Sequence, residues 1–572
     1  MGGLRDGCGT IIGPMTDRVR FSEGEPVDVL CDGTGRIGSL SYLVPSGMRV
    51  TVGDAVHVPF GKREVVGVVL GPGDEDRATR EIIRRYGKRS DPATVRVARD
   101  LAAFHCVPLQ KVATRLAPKR GKGADVPDAE SVVLAGGLPA EPAGFARIPS
   151  TLPRRTLLRA PLVDPAVLAA REAERLVRLR GGQALVLCPT AGLVGEVLAA
   201  FDGGARRLDR KADYGAWKGF VEGTVPVGVG TRAAALYRAE TLSAVIVVEE
   251  QHPGHVEASQ PSTHAREVAA RRADAAGAVL SVISPHPSPD ALGGQMKVRS
   301  VGSPSADWPG LRLIDRTQEP PFRRDLPEPL RRAWNRLAEQ GPTVALAERR
   351  RTRRRCGRCH RERSCQACAE VGQPEALCRH IPDPQPCGAC GDTSIWIAGW
   401  DADRLRATLP EAVEVTSRAG LERRRGQAGV LIFDIDGMLR SRGATATAEA
   451  LRLLLSAMAA VAPDGELVVG TSLPDHPVLV DLFKERDLRA AAQRAWQTAK
   501  EQRLPPFGRL VTVQVGWQRP PRTSHWPGQV LGPRQRGEEW EILVRCSDEE
   551  FDELRPLLWK LRQRGKVRIH VR

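Results

Sequence analysis

Residues 27 to 70 alternate apolar and polar positions, as in VTVGDAVHVPF and REVVGVVLG. Period-two patterning broken by Pro45, Gly47, Gly53, Asp54 and Gly61 predicts short strands joined by tight turns, and so a small β-barrel or sandwich. From Thr79 to about Pro118 the pattern turns helical, with Val95, Ala98, Leu101, Ala102 and Phe104 on one stripe and basic residues elsewhere. Helices, small size and a basic surface predict a winged-helix-like module there. The stretch KRGKGADVPDAE (119 to 130) is polar and Gly-rich, which marks a loop or linker.

From about Arg155 helical segments alternate with apolar runs at Ala184 to Leu187, Val225 to Val229, Val245 to Val248 and Val279 to Ile283. Such runs, too apolar to have a wet face, predict a parallel sheet covered on both sides. A second α/β segment extends from about Leu311 to Thr471, with VALA (344 to 347), VLIF (430 to 433) and ELVVG (466 to 470) as its strands. Trp540 to Arg572 reads strand, helix, strand. Ser547 is the expected N-cap, Asp548, Glu549 and Glu550 fill the first turn, and Gly565 ends the helix.

The length of 572 residues implies about four domains at roughly 100 to 200 residues each. Lys plus Arg number 85 against 68 Asp plus Glu, a formal charge of +17 that favours a polyanionic partner such as DNA or RNA. Aromatic residues make up only 4%, so phosphate contacts rather than base stacking should dominate recognition. No apolar run approaches the ~18 residues of a membrane span and none of signal-peptide type opens the sequence. A cytoplasmic protein without a membrane partner is expected.

Seven of twelve cysteines fall between Cys356 and Cys390, and Cys8, Cys31, Cys106, Cys188 and Cys546 are scattered singles of the buried, inert kind. The cluster holds three Cys-x-x-Cys pairs, Cys356/Cys359, Cys365/Cys368 and Cys387/Cys390. Each pair puts two thiolates on one tight turn, the arrangement that tetrahedral zinc takes in structural sites. At least one zinc is expected, and two if Cys378 and a further ligand (His380, His360 or a water) complete a second set. No open catalytic site is indicated, since a hydrolytic zinc would want His or carboxylate ligands and a base.

No G-x-x-x-x-G-K-[ST] phosphate loop occurs. Val247-Val248-Glu249-Glu250-Gln251-His252 follows a strand, but without a phosphate loop it reads as an acidic strand end facing solvent. Asp434-Ile-Asp436-Gly437 resembles the start of a haloacid-dehalogenase nucleophile motif. It lacks the following Thr and also reads as a strand end.

These pieces in this order resemble the PriA family, the primosomal protein N′ of bacterial replication restart. SLSYLVPSGMRVTVGDAVHVPFGKREVVGVVLG (39 to 71) is similar to the family's 3′ DNA-binding domain, with Tyr42, Pro45, Gly53 and Val-Pro-Phe-Gly at 58 to 61 matching its pattern. LVLCPTAGLV (185 to 194), Gly230-Thr231-Arg232, Glu249 to His252, HAREVAARRA (264 to 273) and ISPHPS (283 to 288) resemble helicase-lobe remnants. The resemblance implies that Cys356/Cys359 and Cys387/Cys390 share one zinc, while Cys365, Cys368 and Cys378 hold the second with one family cysteine missing. At the phosphate-loop position stands TLLRAPLVDPAVLAA (156 to 170), where Pro161 and Pro165 lack donors and Asp164 would repel phosphate. FDIDGMLRSRG (433 to 443) and SAMAAVAPDG (456 to 465) lack the family's second-lobe and arginine-finger motifs. Ser41 stands where members often place an acidic residue in the 3′-end pocket.

The expected architecture is therefore multidomain α/β. It comprises an N-terminal β-rich DNA-binding domain (20–75), a winged-helix-like domain (79–150) and a degenerate RecA-type helicase lobe (155–310). A second degenerate lobe (311–480) with a zinc-ribbon insertion (354–393) and a C-terminal α+β domain (488–572) complete it. The expected function is binding of stalled or forked DNA and single-strand/double-strand junctions for primosome assembly, with no catalytic residue and no reliance on ATP. Expected DNA contacts are Tyr42, Phe60, Gly61, Lys62 and Arg63 in the barrel and Arg84, Arg85, Lys88 and Arg89 in the helical module, with the Arg run 349 to 355 adding charge. The resemblance implies single-stranded DNA-binding protein and helicase-loading factors as partners, and a nucleoid-associated bacterial location. The alternatives are an ATP-dependent 3′-to-5′ helicase with a nucleotide site rebuilt around Arg232, Glu249 and Glu250, or a zinc-ribbon protein that binds other proteins.

Overall fold

The structure is a computed structural model that describes residues 4–5, 11–12, 19–32, 38–116, 153–209, 214–301, 308–318, 327–347, 353–356, 358–359, 386–387, 389–393, 395–398, 405–406, 409, 413–422, 424–440 and 446–572. The chain divides into two compact units, one made of residues 1–160, 164–301 and 496–572 and the other of 161–163 and 302–495. No helix among the described residues is long and apolar enough to cross a membrane.

The first unit begins with a five-stranded antiparallel sheet of β1 (Pro26–Cys31), β2 (Leu40–Leu43), β3 (Asp54–Phe60), β4 (Arg63–Pro72) and β5 (Arg84–Lys88), in the order β2-β1-β4-β3-β5. Alternation holds in β3 and at the start of β1, where Val27, Val56 and Val58 are wholly buried between half-buried neighbours, whereas the middle of β4, Gly67 to Gly71, is buried continuously. Residues 84 to 88, which the helical reading included, are corrected to a strand that pairs with β3. Two facts explain the difference. Gly87 has φ +104°, unfavourable in a helix, and Arg85 reaches a buried carboxylate on β3 that no local periodicity reveals. The helices start at α1 (Pro92–Phe104), where Asp91 caps the Thr94 amide and Pro92 opens the first turn, and continue with α2 (Leu109–Ala113). Residues 117–150, the rest of the expected winged-helix-like domain, lie outside the described residues.

A seven-stranded, all-parallel sheet follows. Its elements are β6 (Arg155–Arg159), α3 (Pro165–Arg180), β7 (Gln183–Cys188), α4 (Ala191–Ala199), β8 (Ala205–Arg207), α5 (Tyr214–Glu222), β9 (Val227–Thr231), β10 (Leu242–Val248), α6 (Ala265–Ala276), β11 (Val279–Ser284), α7 (Pro289–Gly293) and β12 (Lys297–Ser300). The order β8-β9-β7-β10-β11-β6-β12 puts β7, β10 and β11 at the centre, where every residue of β7 and β11 is buried. The carboxyl ends of such strands are where open α/β sheets generally bind ligands.

In the second unit a five-stranded parallel sheet contains β13 (Gly310–Asp315), β14 (Thr343–Leu346), β17 (Val413–Thr416), β18 (Gln427–Ile432) and β19 (Val461–Thr471). The helices α8 (Glu328–Gln340) and α9 (Ala446–Ala460) flank it, with Trp334 and Leu454 wholly buried. Between β14 and β17 a two-stranded ribbon, β15 (Arg353–Cys356) and β16 (Ile395–Ala398), carries the cysteine cluster. After β18, Asp436 accepts hydrogen bonds from the Thr471 hydroxyl at 2.5 Å and the Ser472 amide, so the motif that begins with Asp434 ties two strand ends together.

The chain returns to the first unit through α10 (Leu488–Glu501) and closes with a four-stranded antiparallel sheet, β21-β22-β20-β23, of β20 (Arg509–Val515), β21 (Gln529–Arg536), β22 (Glu539–Cys546) and β23 (Val567–Val571). It packs on α11 (Asp548–Arg564), whose start is a capping box between Ser547 and Glu550. The end of α1 is shared within the unit: Phe104 packs on Phe551 of α11 at 5.4 Å, and His105 Nε2 lies 3.3 Å from Glu267 of α6.

Candidate nucleic-acid interface and cysteine centre

The β3–β4 hairpin turns through Gly61 at φ +60°, a left-handed conformation that side chains disfavour. That turn puts Gly61, Lys62 and Arg63 in solvent, with Phe60 half-buried below. No carboxylate among the described residues pairs with Lys62 or Arg63. Arg80 Nη1 donates to the Gly61 carbonyl at 3.1 Å and steadies the tip. Tyr42 is buried beside it, and its hydroxyl donates to the Pro59 carbonyl at 2.9 Å. Burial raises the Tyr42 phenol above its ordinary range.

Ser41 is not isolated from acidic chemistry. Its hydroxyl donates to Asp28 Oδ1 at 2.7 Å, Ser39 donates to Oδ2 at 3.0 Å, and the Asp74 amide donates to Ser41 Oγ at 3.0 Å. Sequence reasoning missed Asp28 because the contact depends on cross-strand register, Asp28 opposite Ser41. The signal available was an acidic residue within an otherwise apolar strand.

The four basic positions placed in the helical module belong to β5 and its end, and they differ. Arg85 pairs bidentately with buried Asp54, Arg89 pairs with Asp32 at 2.8 Å, and Lys88 lies 3.6 Å from Glu240. Arg84 is exposed, with its guanidinium 5.3 Å from the Tyr86 ring centroid.

At the carboxyl ends of the seven-stranded sheet, Asp164 caps α3. Its Oδ1 accepts from the amides of Ala166 at 2.8 Å and Val167 at 3.3 Å. Those donors are the ones that a helix start offers to an anion. Glu250 is corrected from a solvent-facing position: it is 1% exposed, accepts from the Ser288 hydroxyl at 2.5 Å and lies 3.4 Å from Arg266 Nε. Arg232 is held by Glu257 at 3.3 Å and by the Gly254 carbonyl at 2.9 Å. Glu250 and Arg232 thus bind neighbours of their own.

Cys356 and Cys359 come from the end of β15, and Cys387 and Cys390 from the turn before β16. Their four sulfurs lie within 4.8 Å of one another, with Cys356 to Cys390 at 3.4 Å and Cys359 to Cys387 at 3.5 Å. A metal–thiolate bond of about 2.3 Å implies a tetrahedral edge near ~3.8 Å, so the set could hold a metal ion with small adjustment. The turn is built for it: the Gly391 amide donates to the Cys387 carbonyl at 2.8 Å, and Gly391 itself has φ +71°. Amides of Ala389 and Cys390, together with neighbouring thiols, bring Cys387 down to about 6. Cys390 goes up to about 12 against the pull of the Asp392 amide, because the surrounding sulfurs share its proton. Cys365, Cys368 and Cys378 lie outside the described residues. Of the single cysteines, burial pushes Cys106 up to about 12 and Cys546 to about 11, which fits inert thiols.

Residues 29–118 match the family model of the PriA 3′ DNA-binding domain (3′BD). That N-terminal part of the chain is similar to the PriA 3′ DNA-binding domain. The match runs from within β1 through the rest of the five-stranded sheet, α1 and α2. Among solved structures, RecG bound to a three-way DNA junction is 13% identical, with 60% of this chain and 43% of that chain covered and a TM-score of 0.29. The DUF1998 helicase MrfA bound to DNA is 13% identical, covering 58% and 46% with a TM-score of 0.30. T4 UvsW is 9% identical, covering 55% and 64% with a TM-score of 0.23. The chain spans less than two thirds of the length of each of them.

Proposed function

We propose that the protein binds forked and branched DNA at stalled replication forks and acts there as a platform for primosome assembly, without hydrolysing ATP. The observation that carries this reading is the Asp164 carboxylate on the α3 amides, in a chain whose N-terminal residues match a 3′ DNA-binding domain. A negative side chain on those donors opposes the β- and γ-phosphates that an ATP-driven lobe must hold there. Glu250, bonded to Ser288 and Arg266, is likewise tied into the lobe rather than open to a metal–nucleotide complex.

DNA contact would run through Lys62, Arg63 and Arg84, with Tyr42, Phe60 and Gly61 shaping the pocket and the 349–355 Arg run adding charge. Zinc would occupy the four-cysteine set as a structural ion, and a second zinc would draw on Cys365, Cys368 and Cys378. Single-stranded DNA-binding protein and helicase-loading factors are the proposed partners, and the nucleoid the proposed location. The domain limits 20–75, 79–150, 155–310, 311–480 and 488–572 are the proposed functional modules.

The experiment pairs fork binding with ATP hydrolysis on the same preparation. Tight binding to forks, stronger when a leading-strand 3′ end sits at the junction, with no DNA-stimulated ATPase is the expected result. With about six phosphate contacts, affinity should drop roughly 10³-fold or more between 50 and 200 mM salt. ATP turnover that is abolished in Glu250→Gln would replace this reading with that of a helicase.

A further inference from the structure

Most apolar side chains of the N-terminal domain turn inward, and Tyr86 does not. It is 46% exposed on β5, the edge strand of the five-stranded sheet, and Ile83 just before that strand is 47% exposed. Register puts Arg84 opposite His57 of β3, and Tyr86, the extra residue where the register shifts between Arg85 and Gly87, lies beside both. The ring is held in place from two directions. The Arg84 guanidinium stands 5.3 Å from its centroid, and the His57 ring is 5.9 Å away and tilted by 37°. The hydroxyl lies 3.4 Å from His57 Nδ1, and His57 Nε2 lies 3.4 Å from Glu64.

An aromatic ring left in water but fixed by a cation and a second ring loses little further freedom when it binds, and Tyr86 is exposed enough to meet a ligand. Arg84 has no carboxylate partner among the described residues, and Lys62 and Arg63 extend the positive charge along the neighbouring hairpin. A ring that stacks beside unpaired cations is complementary to a single strand of nucleic acid, whose bases have π-faces and whose phosphates are anionic. A peptide partner would need acidic residues at the same spacing and would leave the ring without a planar ligand.

We propose that the outer face of β3 and β5, centred on Tyr86, Arg84 and His57, is a base-stacking site for single-stranded DNA. The proposal rests on the DNA-binding reading and names a subsite within it, separate from the buried Tyr42. Recognition there is sequence-tolerant, since any base offers a face to Tyr86 while Arg84 takes a phosphate. The charge-dominated expectation drawn from a 4% aromatic content is then qualified at one exposed ring.

The test uses the full chain with fluorescent oligo-dT and with a fork carrying a single-stranded arm. Tyr86→Ala should weaken oligo-dT binding about ten-fold, within the range for one stacked base, with an unchanged salt slope. Tyr86→Phe should bind like the wild type. Arg84→Ala should lose affinity and also flatten the log affinity against log salt slope by about 0.7, one single-strand phosphate contact. An abasic strand should bind wild type and Tyr86→Ala equally weakly. Equal oligo-dT affinity in wild type and Tyr86→Ala, with forks still bound, overturns the stacking site alone. Wild type that binds neither oligo-dT nor forks overturns the DNA-binding reading as well.

Discussion

Arg85 and Asp54 meet as a bidentate pair, Nε donating to Oδ2 at 2.7 Å and Nη2 to Oδ1 at 3.2 Å, with the carboxylate 1% exposed. The pair fastens β5 to β3, so one arginine of a basic run is structural while Arg84 beside it pairs with no carboxylate among the described residues. Arg85→Ala leaves Asp54 buried with the Thr51 amide, 2.8 Å away, as its remaining donor. The expected loss is about 1–3 kcal/mol of stability, discounted because Arg85 is partly exposed. Urea unfolding measures it. Arg84→Ala should leave the unfolding midpoint in place and lower DNA affinity instead.

Asp164 gives a second, smaller effect. Removing this cap with Asp164→Ala should cost about 1 kcal/mol and lower the melting temperature. Millimolar ATP should leave the melting temperature of both forms where it was. A nucleotide-dependent rise in either would show that the chain still takes phosphate.

Metal binding at the four-cysteine set should be linked to protons. Each sulfur binds metal as a thiolate, and Cys390, pushed up to about 12, keeps its proton at neutral pH without metal. Zinc binding should therefore release at least one proton, visible as a buffer-dependent heat in titration calorimetry, and weaken as pH falls. Cys356→Ser or Cys387→Ser should lower the metal content of the purified protein by one ion per chain. Unchanged metal content in both variants would remove these residues from the ligand set.

His255 predicts a pH dependence of stability. Burial is the main cause that takes its ring down to about 4, against the 2.7 Å hydrogen bond to the Val248 carbonyl, which favours the charged form; Arg232 and Arg266 add to the lowering. In the unfolded chain the ring titrates near ~6.5. Between those values the unfolded state binds the extra proton, so stability is full above about 6.5 and is lost as pH falls toward 4, by roughly 3 kcal/mol for this ring. His286, buried near Arg159, is also taken down to about 4 and acts in the same direction. Denaturant unfolding between pH 7 and 5 should show the loss, and His255→Gln should flatten it. Parallel profiles for wild type and variant would assign the loss elsewhere.

Local pattern was enough for several features of this protein. Two-residue alternation determined the N-terminal sheet, because a half-buried strand must alternate. Continuous apolar runs determined the parallel strands, because both faces are covered, and Cys-x-x-Cys spacing singled out the thiols of the ribbon turns. Ser547 and Gly565 at the ends of α11 were legible for the same reason: caps are satisfied by residues three or four positions away. Tertiary structure alone decided what those residues meet. Strand β5 follows from a carboxylate 31 positions earlier, and Ser41 finds its acid 13 positions away across a register. Glu250, apparently solvent-facing in sequence, is buried against a serine 38 residues later. Burial and long-range pairing depend on which strands become neighbours, and no short window of sequence contains that information. The same holds for Tyr86, whose exposure depends on the face of the sheet it shares with His57 of β3.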